Sequence, residues 1–319
     1  MLIQQCTCCC ASLRTMVCAI IVLFAGLSGC ASKSSDFRNE LVFSTPEAAA
    51  NALAAAAISH NTKQLEAIFG PGGRESLSSG DPVADRSDRE VFAVAIGERW
   101  SLRPIDSETR ELVIGHEEWP FPIPLVKDAR GWWFNTSAGK EEVLARRIGR
   151  NELATIGTLQ SYVLAQREYA GEPRDGRPAG VFAQKIRSDP GRRNGLYWEV
   201  QRPGEPLSPL GGFVAKAVSE GYSTTSPQGM QAYHGYFFRI LTRQGAGAPG
   251  GAKDYIIDGD MTGGFAMIAY PAQYGKSGIM TFLVGPDGRV FESDLGENSA
   301  HLSAAITEYN PDSTWTVID

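Results

Sequence analysis

Apolar positions change their spacing along this chain, and the changes mark its parts. Residues 16–27 are almost wholly apolar and are followed by Ser28-Gly29-Cys30 and a polar stretch to Glu40. Helical signals come next. Thr45-Pro46-Glu47 offers a capping hydroxyl, a proline at the first helical position and an acid in the first turn, ahead of the alanine-rich residues 48–58. Residues 61–69 read as a second short helix closed by Gly70-Pro71-Gly72-Gly73. Residues 85–100 read as a third, with Val91, Phe92, Ala95 and Ile96 on one side. Strand-like segments follow at 101–105, 111–115, 123–127 and 131–135, the last two joined as a hairpin through Asp128-Ala129-Arg130-Gly131. Between them Trp119-Pro120-Phe121-Pro122-Ile123-Pro124 must be extended, because alternating prolines forbid both helix and central-strand pairing.

The second half repeats the order of helix, then strands. Residues 140–148 read as helical, Gly149 weakens that helix, and Asn151 is placed to cap a new one running to about residue 170. Leu153, Ile156, Leu159, Tyr162 and Val163 form its apolar stripe. Residues 171–209 are polar and rich in Gly and Pro, as in surface loops, and a short helix is expected at 210–220. Strand candidates lie at 236–242, 254–257, 264–270, 278–284 and 289–292, with Pro286-Asp287-Gly288 as a hairpin turn and 299–309 as a closing helix. The pattern predicts an α+β protein with a leader at 1–29, a tether at 30–40 and domains at 41–149 and 150–319. In the first domain, helices before a curved antiparallel sheet look like the nuclear-transport-factor-2-like or cystatin-like arrangement. In the second, a helix on an antiparallel meander looks like a pilin head.

The leader carries the sharpest chemistry. Its 29 residues contain no acid and one base, Arg14, and its apolar run is shorter than the roughly 20 residues that cross a bilayer. Charge followed by an apolar core is the order of a signal peptide. Leu27-Ser28-Gly29-Cys30 resembles the bacterial lipobox, in which a branched residue and two small ones precede the cysteine that is lipidated. The chain is therefore expected to be cut before Cys30 and held at a membrane by lipid on that thiol. By resemblance to Gram-negative lipoproteins, Ala31 in place of Asp favours the periplasm-facing side of the outer membrane. Cys6, Cys8, Cys9, Cys10 and Cys18 all precede the cut, so the mature chain has one blocked cysteine and must rely on its core rather than on disulfides.

Composition adds exclusions. The chain is 43% hydrophobic and 21% charged, within the range of globular proteins. A net charge of −6 argues against a nucleic-acid surface, which needs a concentrated basic face. Arg146-Arg147 and Arg192-Arg193 read as solvated faces.

Reactive constellations are sought in turn. Gly245-Ala246-Gly247-Ala248-Pro249-Gly250 spells the dinucleotide fingerprint but leads into an apparent strand rather than a helix, so it reads as a hairpin loop and no cofactor is expected. Gly139-Lys140 lacks the rest of a phosphate-binding loop. His60, His116, His234 and His301 sit in separate segments without ligand spacing, so no metal is expected. Asp258-Gly259-Asp260 reads as a turn rather than a calcium loop, and Ser277 lacks the flanking glycines of a nucleophile elbow. No catalytic residue is assigned. The aromatics Trp119, Phe121, Trp132, Trp133 and Phe134 concentrate on the expected curved sheet. Alternation puts Trp132 and Phe134 on one face and Trp133 on the other, so one set is expected in the core while the other lines a pocket or a partner surface.

Several segments are more specific than their patterns. Ser79-Gly80-Asp81-Pro82-Val83-Ala84-Asp85-Arg86, the proline run at 119–127, Gly139-Lys140-Glu141-Glu142, Arg146-Arg147-Ile148-Gly149-Arg150-Asn151-Glu152-Leu153 and Ala165-Gln166-Arg167-Glu168-Tyr169-Ala170, with residues 236–241 and 280–296, resemble the bacterial family catalogued as domain of unknown function 2950. The resemblance spans residues 43–316. It implies a secreted or lipid-anchored envelope protein and carries no activity or catalytic residues. Two functions stay open: a non-catalytic module binding an envelope protein, polymer or small ligand, and an envelope hydrolase acting on polysaccharide or peptide with carboxylates near His116-Glu117-Glu118 in the first domain's concavity. Mass spectrometry of the native protein should find Cys30 at the mature N-terminus with diacylglycerol on its sulfur. Cys30→Ser should leave the leader attached.

Overall fold

The computed structural model describes residues 40–70, 72–73, 78–223 and 232–318. The leader, the lipobox at Leu27, Ser28 and Gly29, and Cys30 lie outside them. The chain folds as α+β, with six helices and several antiparallel sheets among the described residues. Two hydrophobic cores form within one compact unit, Arg38–Asp319.

The first core is built by three helices and a sheet. Helix α1 is Pro46–Ile58, with Thr45 accepting the Ala48 N–H as its cap, and α2 is Thr62–Phe69, capped by Asn61. Helix α3 is Pro82–Glu98 and begins three residues before the expected start, because Asp81 accepts the N–H groups of Val83 and Ala84 and Pro82 takes the first turn. Alanines at 49, 50, 54, 56 and 57 let α1 pack closely, while Leu53, Leu65, Ile68, Phe69 and Ile96 fill the space between the helices and the sheet. Of the residues expected on the inner side of α3, Ile96 is buried and Phe92 and Ala95 pack against the core, but Val91 is exposed; Ala93 is buried in addition.

The sheet runs β1 (Trp100–Pro104), β2 (Thr109–Ile114), β4 (Leu125–Asp128), β5 (Gly131–Phe134), with the two-residue β3 (Trp119–Pro120) also paired to β2. The proline run was expected to be extended throughout; only Trp119 and Pro120 join the sheet, and the chain bends at Pro122 and Ile123. β5 would be an edge strand, but Phe43 exchanges both backbone hydrogen bonds with Trp132 at 2.8 Å and covers it.

Helix α4, Thr136–Ala170, is the longest element. Two helices were expected here, broken at Gly149 and restarted by an Asn151 cap. The helix instead runs through both residues, for a length of about 52 Å. A helical glycine costs about 1 kcal/mol, which tertiary packing on both sides of it outweighs. Asn151 is buried in mid-helix, and its side-chain amide donates to the Ser277 carbonyl at 2.8 Å. The expected boundary at residue 149 thus falls inside α4. Its N-terminal part serves the first core: a Cβ on Gly139 would lie 2.7 Å from the Pro122 carbonyl oxygen, so only glycine permits this approach. Its C-terminal part buries Leu159, Tyr162, Val163, Ala165 and Tyr169 in the second core. Leu153, expected on that stripe, is 71% exposed.

The second core lies under a sheet ordered β14-β13-β12-β11-β6: Thr316–Ile318, Val290–Asp294, Met280–Val284, Ala266–Pro271 and Tyr236–Leu241. Residues 254–257, expected as one strand, split between two small hairpins, β7 (Arg243–Gln244) with β8 (Lys253–Asp254) and β9 (Ile256–Ile257) with β10 (Asp260–Met261). The fingerprint-like glycines form the β7–β8 loop, pinned by Asn310 on the Gly247 N–H and by Gln244 on the Pro249 and Gly251 carbonyls. Helix α5 is Gly211–Glu220 and α6 is Ser299–Ala305. The closing helix ends earlier than expected because Tyr309 is drawn into the sheet, its N–H bonding the Arg243 carbonyl and its own carbonyl accepting from Gly245.

Glu152 fastens α4 to β12. One carboxylate oxygen accepts the N–H groups of Ile279 at 2.9 Å and Met280 at 3.0 Å, while the Tyr236 hydroxyl donates to the Met280 carbonyl at 3.0 Å. Gly278 lies against the Tyr236 ring so closely that any Cβ would collide with it. Gly278→Ala should therefore destabilise the protein by about 1–3 kcal/mol, read as a lowered thermal midpoint. Burial first, and Glu152 second, hold the Glu292 carboxyl above its usual range. A raised folded value means that the stabilising protonated form is lost as pH rises through it. Glu292→Gln is accordingly expected to raise the midpoint at about pH 7, with the gain vanishing toward about pH 3.

Candidate functional site

Three helical faces and the proline run line a half-open cavity of about 480 Å³ beside the first core. Helix periodicity decides what faces it. On α3 Asp85, Asp88, Arg89 and Phe92 share one side, on α4 Val143, Arg147 and Arg150 do, and on α2 Thr62, Leu65 and Phe69 do. Phe121, Pro122 and Ile123 supply the remaining wall, with Ala57 and His60 at the end of α1. The lining is therefore polarised. Toward the C-terminal side of α3 and the N-terminal side of α4 it is apolar: Phe121 packs with Phe69 and Phe92 at ring separations of 6.0 and 5.3 Å. One or two turns away along both helices it is ionic.

The ionic end has defined partners. Arg150 holds both oxygens of Asp88 at 2.7 Å in a bidentate pair. Asp85 is buried and takes the Ser79 N–H on both oxygens at 2.9 and 3.1 Å. Arg147, 7% exposed, donates to the Ser78 carbonyl at 3.3 Å. Burial pulls its guanidinium below the usual value, while Asp85 and Asp88 pull the other way. The N-terminus of α3 that presents these acids is fixed by a residue just past α5: the Tyr222 hydroxyl donates to Asp81 at 2.8 Å and accepts the His234 N–H. Desolvation and Asp81 together raise the Tyr222 hydroxyl well beyond its ordinary range, so it remains a donor at neutral pH.

The expected aromatic set divides. Phe121 lines the cavity, and Trp119 is 47% exposed on the neighbouring strand. Trp132, Trp133 and Phe134 are buried at 6%, 5% and 0% exposure, so neither face of β5 offers an open surface. Pairing with Phe43 along one edge and with β4 along the other encloses that strand. His116, Glu117 and Glu118, named for a hydrolase, lie on an exposed turn outside the cavity lining, with Glu118 paired to Arg99 at 3.4 Å. Arg147 departs from the solvated face expected for Arg146-Arg147; only Arg146 behaves so, paired with Glu142 and bonded to the Pro120 carbonyl.

His60 and His234 take left-handed backbone at helix and loop ends, with His234 3.4 Å from Glu220. Asp258-Gly259 turns the chain between β9 and β10, and Asp260 pairs with Arg177. Ser277 exchanges hydrogen bonds with the Gln273 backbone. No group of three or more His, Cys, Asp or Glu among the described residues is arranged to hold a metal ion.

Sequence reasoning missed the ionic end of the cavity. The signal was present as two acids one turn apart, Asp85 and Asp88, and two arginines one turn apart, Arg147 and Arg150, but nothing in the sequence says that these helices face each other. No curated protein and no solved structure matches the chain. Its sequence does match a family described as "Protein of unknown function" over residues 40–318, the reach expected from its segments, and the chain belongs to that family, DUF2950.

Proposed function

We propose that this chain is a lipid-anchored cell-envelope protein that binds, rather than transforms, a small amphipathic ligand in the cavity between α2, α3 and α4. One observation carries the reading: one half-open pocket has an aromatic end and an ionic end, built from opposed faces of two helices. Its volume falls in the range of small-molecule sites, and such sites combine an apolar lining with a few placed polar groups. Asp85 and Asp88 on its wall already serve as partners of the Ser79 N–H and of Arg150, which suits positioning better than proton transfer. The anchor rests on the lipobox and Cys30, and a periplasm-facing place at the outer membrane rests on Ala31.

Within the same proposal, residues 41–149, completed by Arg150 of α4, act as the ligand-binding module, similar in arrangement to nuclear-transport-factor-2-like folds. Residues 150–319 act as a pilin-head-like support that sets the start of α3 through Tyr222. Helices leading into an antiparallel sheet support the first likeness, and α4 lying on β11, β12 and β13 supports the second.

Native mass spectrometry of the full protein, released gently from envelopes, should show a non-covalent adduct that denaturation removes. Val143→Trp, which fills the cavity from α4, should abolish the adduct while leaving the far-ultraviolet circular dichroism unchanged. An adduct that persists in this variant, or its absence from the wild type, would overturn the binding reading.

A further inference from the structure

We infer that the cavity's ligand is a single-chain amphiphile with an anionic head, its tail among Phe69, Phe92 and Phe121 and its head at the Arg147–Arg150 end. The inference rests on the binding reading above and specifies its ligand class.

Charge comes first. The lining carries Arg86, Arg89, Arg147 and Arg150 against Asp85, Asp88 and Glu90, so the guanidinium groups outnumber the carboxylates in a chain whose net charge is −6. Both aspartates at the ionic end are engaged, Asp85 by the Ser79 backbone and Asp88 by Arg150. An entering anion competes with Asp88 for Arg150, whose side chain is half exposed and presents a planar fork suited to carboxylate or phosphate oxygens. A cationic head would meet Arg147 and Arg150 with no uncommitted acid at that end.

The opposite end excludes a wholly polar ligand. Phe69, Phe92, Phe121, Leu65, Ile123 and Val143 offer it only apolar surface, and burying apolar groups there is favourable at about 25 cal/mol per Å². A chain with one charged terminus satisfies both ends.

Position supplies an independent argument. The Leu41 N–H bonds the Ala67 carbonyl in α2, the helix that gives Leu65 and Phe69 to the cavity. Ten residues separate Cys30 from that point, and they reach at most about 35 Å when fully extended. Lipid on Cys30 therefore keeps the cavity close to a membrane surface, where acyl chains with anionic heads are concentrated. A free fatty carboxylate and a lysophospholipid phosphate share this chemistry.

The test is photo-crosslinking of a diazirine fatty acid to the full chain in native envelopes, mapped by peptide mass spectrometry. Labels are expected on the peptides containing Phe69, Phe92, Phe121 and Val143. Laurate should displace the label at roughly tenfold lower concentration than dodecanol, the expected gain from one charge-assisted hydrogen bond. Arg150→Gln should weaken laurate about tenfold and leave dodecanol unchanged. Asp88→Asn, which removes the competing carboxylate, should strengthen laurate; a merely structural pair would make both variants weaken both competitors. Stronger displacement by lysophosphatidylglycerol than by laurate would assign the ligand to membrane lipid, and the reverse order to free fatty acid. Equal displacement by laurate and dodecanol would overturn the anionic head and leave the cavity reading standing. Absence of label in a protein that still carries the native adduct would likewise overturn this inference alone, whereas absence of both would remove the binding reading with it.

Discussion

Helix α4 has to satisfy two cores with one continuous surface, and the arrangement of the protein follows from how it does so. Gly139 allows close approach to the proline run, and Leu159, Tyr162 and Val163 fill the second core some five turns later. Between these points Asn151 and Glu152 grip the Ser277–Met280 backbone with hydrogen bonds of 2.8–3.0 Å. A carboxylate taking two backbone N–H groups is a directional bond that hydrophobic packing does not supply, and leaving those donors unmade would cost about 1–3 kcal/mol each. The helix is therefore held in rotation as well as in place. That rotation is what turns Arg147 and Arg150 toward α3.

The same logic explains a buried guanidinium. Burying a charge is unfavourable unless partners are already in position. Arg147 meets the Ser78 carbonyl and lies near Asp85 and Asp88, while Tyr222 and the Asp81 cap fix the helix that carries those acids. An ionic cluster held from two sides does not need a ligand to keep its shape. The cavity is in this sense preorganised, and a ligand that meets it forgoes much of the ordering cost of binding.

Local rules succeeded where the determining interactions are local. The cap at Thr45, the glycine stop at Gly70 and the hairpin joining β4 to β5 were all legible, because each involves residues within a few positions of one another. They failed at Gly149 and Asn151. A weak helix former followed by a good cap is a sound local reason to end a helix, but Ser277, 126 residues away, bonds the Asn151 side chain and changes its role. Leu153 and Val91 were misplaced for a related reason: periodicity identifies an apolar stripe but not which side of it a partner will cover.

By itself the sequence determined the α+β class, the family and the expectation of a cysteine-linked lipid, since each depends on composition, short motifs or neighbouring residues. It also placed two acids and two arginines at helical spacing. Only the tertiary structure decided that the two helices face each other, that Trp132, Trp133 and Phe134 are buried on both sides of their strand, and that Phe121 of the aromatic set lines this cavity. Burial is a property of what packs against a residue from elsewhere in the chain, and a one-dimensional pattern carries the faces of an element without naming their neighbours.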